Sequence, residues 1–177
     1  MSLQLRTFGA LLCLSMTACG GVKPSPAPAP KTAAADPCAG GPSLTVTGTV
    51  KGFDLKRLKT PWFMDIKTMT MIVMTEGEEP CAQHAALTAV LALCEHSAGD
   101  FEVTKRRGAC RAPAKLASTM VERPDGIDIA NGESGQVTVE HRGANCIAGR
   151  FNMKMGEAQV SGRFVAPRCN TVKKLAD

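Results

Sequence analysis

The sequence predicts a mainly β protein, an antiparallel sandwich or barrel of about eight strands with one or two short helices, tied by disulfide bonds. Three observations support this prediction. Short segments in which apolar and polar side chains alternate recur along the chain, as half-buried strands require. Gly, Pro, Asp and Asn residues separate these segments, as is typical of turns. Six cysteines lie in the part of the chain that is expected to fold.

Residues 1–18 are expected to be a lipoprotein signal peptide that is removed from the mature chain. The small residues Thr17 and Ala18 precede Cys19 as in a lipobox, so Cys19 is the predicted lipidation site. The apolar run FGALLCLSMTA has about 11 residues, whereas a membrane-spanning helix needs about 20. An ordinary secretory signal and an uncleaved anchor are the alternatives. We expect a palmitate-bearing protein held at a membrane of the cell envelope.

Residues 19–37 are predicted to form the lipid anchor and a Pro/Ala-rich tether. Alternating Pro and Ala in residues 24–30 favours an extended path and offers no apolar face to bury. Gly20 follows Cys19 without an acidic residue, which favours the outer membrane as the location, with the domain on its periplasmic or surface face. A single β-rich domain is predicted for residues 38–170, followed by a polar tail at residues 171–177.

Composition argues against several classes of ligand. The formal net charge is +5, and the mature side chains would carry +4 because the signal contains only Arg6. This charge is too small for a typical nucleic-acid-binding surface. Aromatic residues make up 4% of the chain, with no Tyr and one Trp, which disfavours stacking sites for sugars or bases. We expect no nucleic-acid partner.

The cysteine count predicts three disulfide bonds. Cys13 would leave with the signal and Cys19 would carry lipid, and the remaining even number in an exported chain implies an oxidised framework. The preferred pairing is Cys38 with Cys169, Cys81 with Cys94, and Cys110 with Cys146. Six cysteines allow about 15 pairings, so the others stay open.

Period-two segments give the predicted strands. The first covers residues 43–50 and is followed by strands at 62–66 and 68–75. In the third, Met69, Met71 and Val73 share one face while Ile72 and Met74 share the other, which predicts a central strand covered on both sides. Later strands are predicted at residues 101–104, 117–122, 126–130, 135–141, 146–155 and 158–165.

The segment of residues 81–94 (CAQHAALTAVLALC) is rich in helix formers and has two interpretations. It could form one helix to Glu95, or a short helix to about Ala86 followed by a buried strand over residues 87–93. Periodicity does not separate a short buried strand from a helix. We favour the second interpretation.

Two motifs suggest metal binding. Cys81 with His84 and Cys94 with His96 could supply a zinc site, although cysteines in an oxidising compartment are expected to pair with each other. The pairs Met69/Met71 and Met153/Met155 could bind Cu(I), although methionine more often fills a core. Disulfides and core packing are the favoured explanations, so no metal and no cofactor is expected.

A basic cluster is the candidate for anion binding. It comprises Lys105, Arg106, Arg107 and Arg111, with Lys115 nearby, in a Gly- and Pro-punctuated loop around Cys110. A solvated loop is the ordinary explanation. Binding to lipopolysaccharide phosphates or another anionic surface is the functional alternative.

Recognisable catalytic motifs are missing from the sequence. It contains no G-x-S-x-G, no H-E-x-x-H, no phosphate-binding loop and no dinucleotide fingerprint. Ser161 lies in a strand pattern and not at a strand-to-helix turn. We therefore predict a protein that is not an enzyme.

The C-terminal strand carries a resemblance. The segment Gly162-Arg163-Phe164-Val165-Ala166-Pro167-Arg168-Cys169, with the Met-rich strand, the acidic-Pro-Cys81 turn and the lipid anchor, resembles uncharacterised lipid-anchored β-proteins common in myxobacterial proteomes. Those proteins have no assigned activity, so the resemblance implies fold and location only. We expect a binding or structural module of the envelope that contacts an unknown envelope protein or polymer. A periplasmic copper- or zinc-binding protein and a disulfide-rich enzyme inhibitor are the alternatives.

Overall fold

The fold is known from a computed structural model, which describes residues 36–83, 87–105, 110, 115–123, 128–170 and 173–174. The predicted mainly β class is confirmed. In this part of the chain the regular elements are fourteen strands and one turn of 3-10 helix, Leu55–Arg57. The strands are β1 (Ser43–Thr47), β2 (Thr49–Val50), β3 (Phe53–Asp54), β4 (Thr60–Ile66), β5 (Met69–Thr75), β6 (Ala82–Gln83), β7 (Thr88–Leu93), β8 (Gly99–Val103), β9 (Leu116–Glu122), β10 (Asp128–Asn131), β11 (Ser134–Arg142), β12 (Cys146–Met155), β13 (Ala158–Pro167) and β14 (Lys173–Lys174).

Ten of these strands form one sheet that curls into a nearly closed barrel. Its order is β1-β13-β12-β11-β8-β9-β7-β5-β4, with β10 paired to β9. Neighbours are antiparallel except β8 and β9, which run parallel. The sheet closes where the chain leaves β13, because the Cys169 N–H donates to the Phe63 carbonyl of β4 at 2.7 Å. Closure satisfies backbone groups that an open sheet edge would leave unpaired.

Side chains fill the interior of the barrel. Along β12 every second residue from Ile147 to Met155 is buried, while Arg150, Asn152 and Lys154 face outward. An internal cavity among the core residues measures only about 20 Å³, which is room for about one water molecule. The described residues of the barrel interior therefore form a packed core.

Strand β5 is buried on both faces, as predicted. Ile72 and Met74 belong to the main core inside the barrel. On the outer face, Val73 lies in a second apolar cluster with Trp62 and Val90. The outer cluster explains why this strand is apolar at almost every position.

Residues 81–94 form less helix than predicted. The interpretation as one continuous helix is wrong, because Thr88–Leu93 is strand β7, hydrogen-bonded to β5 and β9. The short helix is also absent from its described residues, since Ala82–Gln83 is strand β6 and residues 84–86 lie outside the described part. Ala and Leu are good helix formers, but this preference amounts to less than about 1 kcal/mol per residue, and pairing with two neighbouring strands outweighs it. The predicted strand after Ala86 is confirmed.

Two phenylalanines of the core lie against glycines of the neighbouring strand. Phe164 is directly opposite Gly149, and Phe151 is directly opposite Gly162. A Cβ atom at Gly162 would lie 2.5 Å from Cζ of Phe151 and would also meet the backbone carbonyl of Thr45. Packing therefore requires glycine at both positions, because a side chain there would displace a buried ring.

We expect Gly162→Ala to destabilise the protein by about 1–3 kcal/mol, the usual cost of overpacking a core. Gly40→Ala is the control, because a Cβ atom there has no neighbour within 4 Å. Urea denaturation of both variants measures the difference. A Gly162→Ala variant as stable as Gly40→Ala would show that the ring of Phe151 can move without cost.

Candidate functional site

The predicted number of disulfide bonds is confirmed, but the preferred pairing is wrong. The bonds join Cys38 with Cys146, Cys81 with Cys169, and Cys94 with Cys110. Strand order explains the pairing: β1, which follows Cys38, lies two strands from β12, which begins at Cys146. Cys169 bonds to the backbone of β4, next to β5, and the segment after β5 carries Cys81. The backbone of Cys94 pairs with Leu116 of β9, just after Cys110.

Because of these disulfide bonds, the two predicted Cys/His zinc pairs have no free thiol. Cys81 and Cys94 are joined to other cysteines, and His84 lies outside the described part. One further group brings Asp36, Cys38 and His141 within 4.8 Å of one another. Cys38 is bonded to Cys146, so its sulfur is not a thiolate ligand, and the remaining two groups are 4.0 Å apart.

The two methionine pairs differ in their surroundings. Met153 and Met155 are 2% and 3% exposed and belong to the main core. The Thr119 hydroxyl donates to the Met153 sulfur at 3.3 Å. Met71 packs on the outer cluster, directly across the strand pair from Met64. Core packing therefore accounts for the second pair.

The structure describes two basic residues of the predicted anion-binding loop, Lys105 and Lys115. Lys105 is exposed and its Nζ lies 3.1 Å from Oε1 of Glu133. Lys115 donates to the Ala98 carbonyl at 3.0 Å and lies over the ring of Phe101 at 5.8 Å. Arg106, Arg107 and Arg111 lie outside the described residues, so anion binding at this loop stays a prediction.

A charged cluster that the sequence did not predict lies near one end of the barrel. We call Asp65, Thr70, His96, Arg142 and Arg168 the Asp65 cluster. Oδ1 of Asp65 accepts from Nη2 of Arg142 at 2.5 Å and from the Thr70 hydroxyl at 2.8 Å, and Oδ2 accepts from Nη2 of Arg168 at 2.8 Å. Nδ1 of His96 lies 3.2 Å from Oδ1 of Asp65. One carboxylate thus contacts four side chains from other parts of the chain.

The cluster is largely shielded from solvent. The side chains of Asp65 and Arg142 are 18% and 13% exposed. The guanidinium of Arg142 lies over the Phe63 ring at 4.6 Å, a favourable cation–π contact. Nη1 of Arg142 is buried without a hydrogen-bond partner among the described residues. The contact with Phe63 offsets part of the cost of burying this nitrogen.

Asp65 is held in its charged form. Burial alone would raise the pKa of Asp65, but hydrogen bonds from Thr70 and Arg142 and the charges of Arg142 and His96 outweigh burial. The net effect is a pKa below the ordinary value of an aspartate. A carboxylate in this state is suited to hold arginines in place. It is poorly suited to accept a proton near neutral pH.

The other end of β12 borders an open pocket of about 530 Å³. Val50 and Met155 are buried in its wall, while Lys51 and Glu157 are exposed at its rim. Lys51 and Gly52 have φ angles of 46° and 86°, as a two-residue hairpin turn requires. We call this the rim pocket. Its volume falls within the range of about 300–1,000 Å³ found for small-ligand sites.

Fold and site together define a disulfide-tied, barrel-like β protein with a packed interior. No family model, no curated protein and no solved structure matches the chain. The resemblance to myxobacterial lipoproteins therefore stays a prediction. Within the described ranges, no helix is long and apolar enough to span a membrane.

Proposed function

We propose that the protein is a lipid-anchored, non-enzymatic binding module of the cell envelope. Lipid on Cys19 attaches it to a membrane, and the Pro/Ala-rich residues up to 37 hold the barrel away from that membrane. Its partner is another envelope protein, bound by the loops at the end of the barrel that contains the rim pocket.

The rim pocket is the observation that carries this proposal. The cavity among the core residues, about 20 Å³ in volume, is too small to take a side chain of a partner, whereas the rim pocket is open and measures about 530 Å³. The pocket combines apolar walls, from Val50 and Met155, with opposite charges at the rim, from Lys51 and Glu157. This combination suits an apolar side chain of a partner flanked by polar groups.

The rigid frame supports the same function. Three disulfide bonds and a nearly closed sheet tie the strands of the barrel together, and strands β12 and β13 hold the turn at Gly156 beside the pocket. A surface that is already ordered loses little conformational entropy when it binds. Such a frame favours recognition by loops that do not rearrange.

Site-specific photo-crosslinking in living cells tests the proposal. A photoreactive residue at Glu157, at the rim, is expected to give one discrete crosslinked species. The same residue at Glu102, which is exposed on the outer face of β8, is the control and is expected to give none. Equal crosslinking at both positions, or none at either, would contradict recognition through the rim pocket.

The anchor is tested separately. Cells fed tagged palmitate are expected to label the wild-type protein and not the Cys19→Ala variant. Labelling of both, or of neither, would contradict lipidation at Cys19.

A further inference from the structure

Two arginines lie directly opposite each other on the outer surface of the barrel. Arg150 of β12 pairs in register with Arg163 of β13, and their side chains are 57% and 70% exposed. Like charges directly opposite each other destabilise an antiparallel strand pair. The arrangement therefore costs stability, and the packing of the barrel does not require it because both side chains point away from the core.

One carboxylate offsets only half of this charge. Oε1 of Glu140 lies 3.0 Å from Nη1 of Arg150 and 3.7 Å from Nη2 of Arg163. No second carboxylate of the described residues lies within 4.0 Å of either guanidinium. Each guanidinium carries five N–H donors, so most of these donors have no carboxylate partner among the described residues.

Hydroxyl groups surround a shallow depression beside the two arginines. It has a volume of about 320 Å³ and is lined by Thr45, Thr47 and Ser161 together with Arg150 and Arg163. The Thr47 and Ser161 hydroxyls lie 2.9 Å apart, and the Thr47 hydroxyl is 3.3 Å from the Ser161 carbonyl oxygen. Guanidinium and hydroxyl donors around one depression form an environment that suits phosphate or carboxylate oxygens.

A third positive charge extends the surface along the strand. Lys154 is exposed four residues after Arg150 on the same face of β12, a separation of about 13 Å at the usual rise per residue of a strand. Asn152 lies between them and is hydrogen-bonded to Gln159 of β13. Charges spaced in a line on a rigid sheet suit an extended chain of anions better than a single ion.

We propose that this surface binds the oxyanion groups of an extended polyanionic polymer. We call it the arginine face, and it consists of Thr45, Thr47, Arg150, Lys154, Ser161 and Arg163. The polymer carries phosphate or carboxylate groups, which the two guanidiniums bind through charge-assisted hydrogen bonds. This interaction lies outside the rim pocket and requires neither lipidation nor the partner bound there.

Calorimetric titration of the purified full chain with three probes tests the inference. Linear polyphosphate supplies phosphate groups, polygalacturonate supplies carboxylates, and dextran is the neutral control. Binding of either polyanion, weakened at least tenfold in the Arg150→Gln/Arg163→Gln double variant, supports the arginine face, and the polymer that binds identifies the anion. Binding should also weaken as salt is raised, with a smaller salt dependence in the double variant, because fewer counterions are released.

Arg57→Gln/Lys56→Gln is the matched control, because it removes the same charge from exposed positions elsewhere. It is expected to change affinity less than twofold. An equal loss in the control would overturn the inference, because general attraction to a cationic protein would then explain binding. No binding of either polyanion by the wild type would also overturn it, while the rim-pocket proposal would stand.

Discussion

Asp65→Asn is expected to destabilise the protein by about 2–4 kcal/mol at neutral pH. The change keeps the size of the side chain but removes the charge that both Arg142 and Arg168 contact. Removing one partner of a largely buried ion pair leaves the other charge uncompensated, which costs about 3–5 kcal/mol in fully buried cases. The expected loss is smaller here because Arg168 is 34% exposed. Urea denaturation with the disulfides intact measures it.

The stability difference between wild type and Asp65→Asn is also expected to depend on pH. The folded-state pKa of Asp65 is lowered, so its stabilising effect is fully present above the unfolded-state value of about 3.9. The effect is lost as pH falls through the lower folded-state pKa, because the carboxyl then takes up a proton in both states. The difference should therefore narrow below about pH 4.

Asp100→Asn is the matched control for this experiment. Asp100 also accepts from a threonine hydroxyl, that of Thr138 at 2.7 Å, but it lies on the exposed face of β8. We expect a loss of less than about 0.5 kcal/mol, as for most surface changes. Equal losses in the two variants, or a difference that widens as pH falls below about 4, would contradict a stabilising role for the charge of Asp65.

Local patterns predicted the strands well because alternation reports directly which face of a strand is buried. The segments predicted at residues 68–75 and 146–155 are within one residue of β5 and β12. The secondary structure of residues 81–94 was harder to predict, because a short apolar run is compatible with both a helix and a buried strand. Pairing with β5 and β9 decides in favour of the strand, and that pairing is not visible in the segment itself.

Long-range features could not be predicted because they depend on strand order. Asp65, Arg142 and Arg168 occur singly and far apart in the sequence, and only closure of the barrel brings them together. One feature of the sequence did point to Asp65. It is a charged residue in an otherwise apolar strand, and it lies on the same face of that strand as the buried Phe63. The juxtaposition of Arg150 and Arg163 was equally impossible to predict, because it depends on the register of β12 against β13.

The disulfide pairing missed from the sequence leads to the second large expected effect. Removing Cys38–Cys146 or Cys81–Cys169 by double alanine substitution is expected to cost about 5 kcal/mol, and removing Cys94–Cys110 about 3 kcal/mol. A disulfide stabilises chiefly by restricting the unfolded chain, and the effect grows with the length of the closed loop. The three sequence separations are 108, 88 and 16 residues. Guanidinium denaturation of the three double variants measures these losses of stability and ranks them.

The two disulfide bonds that close long loops, Cys38–Cys146 and Cys81–Cys169, differ in how they are packed. Cys169 is 4% exposed and lies in the outer cluster with Trp62, Val73 and Val90, whereas Cys38 lies outside any strand, before β1. Losing Cys81–Cys169 therefore removes buried contacts as well as a cross-link, and this variant should be the least stable of the three. Cys94–Cys110 is the short-loop control. Removal of Cys94–Cys110 could instead cost as much as removal of Cys38–Cys146. Restriction of the unfolded chain would then not explain the stabilisation, and the explanation would have to be strain or packing at each bond.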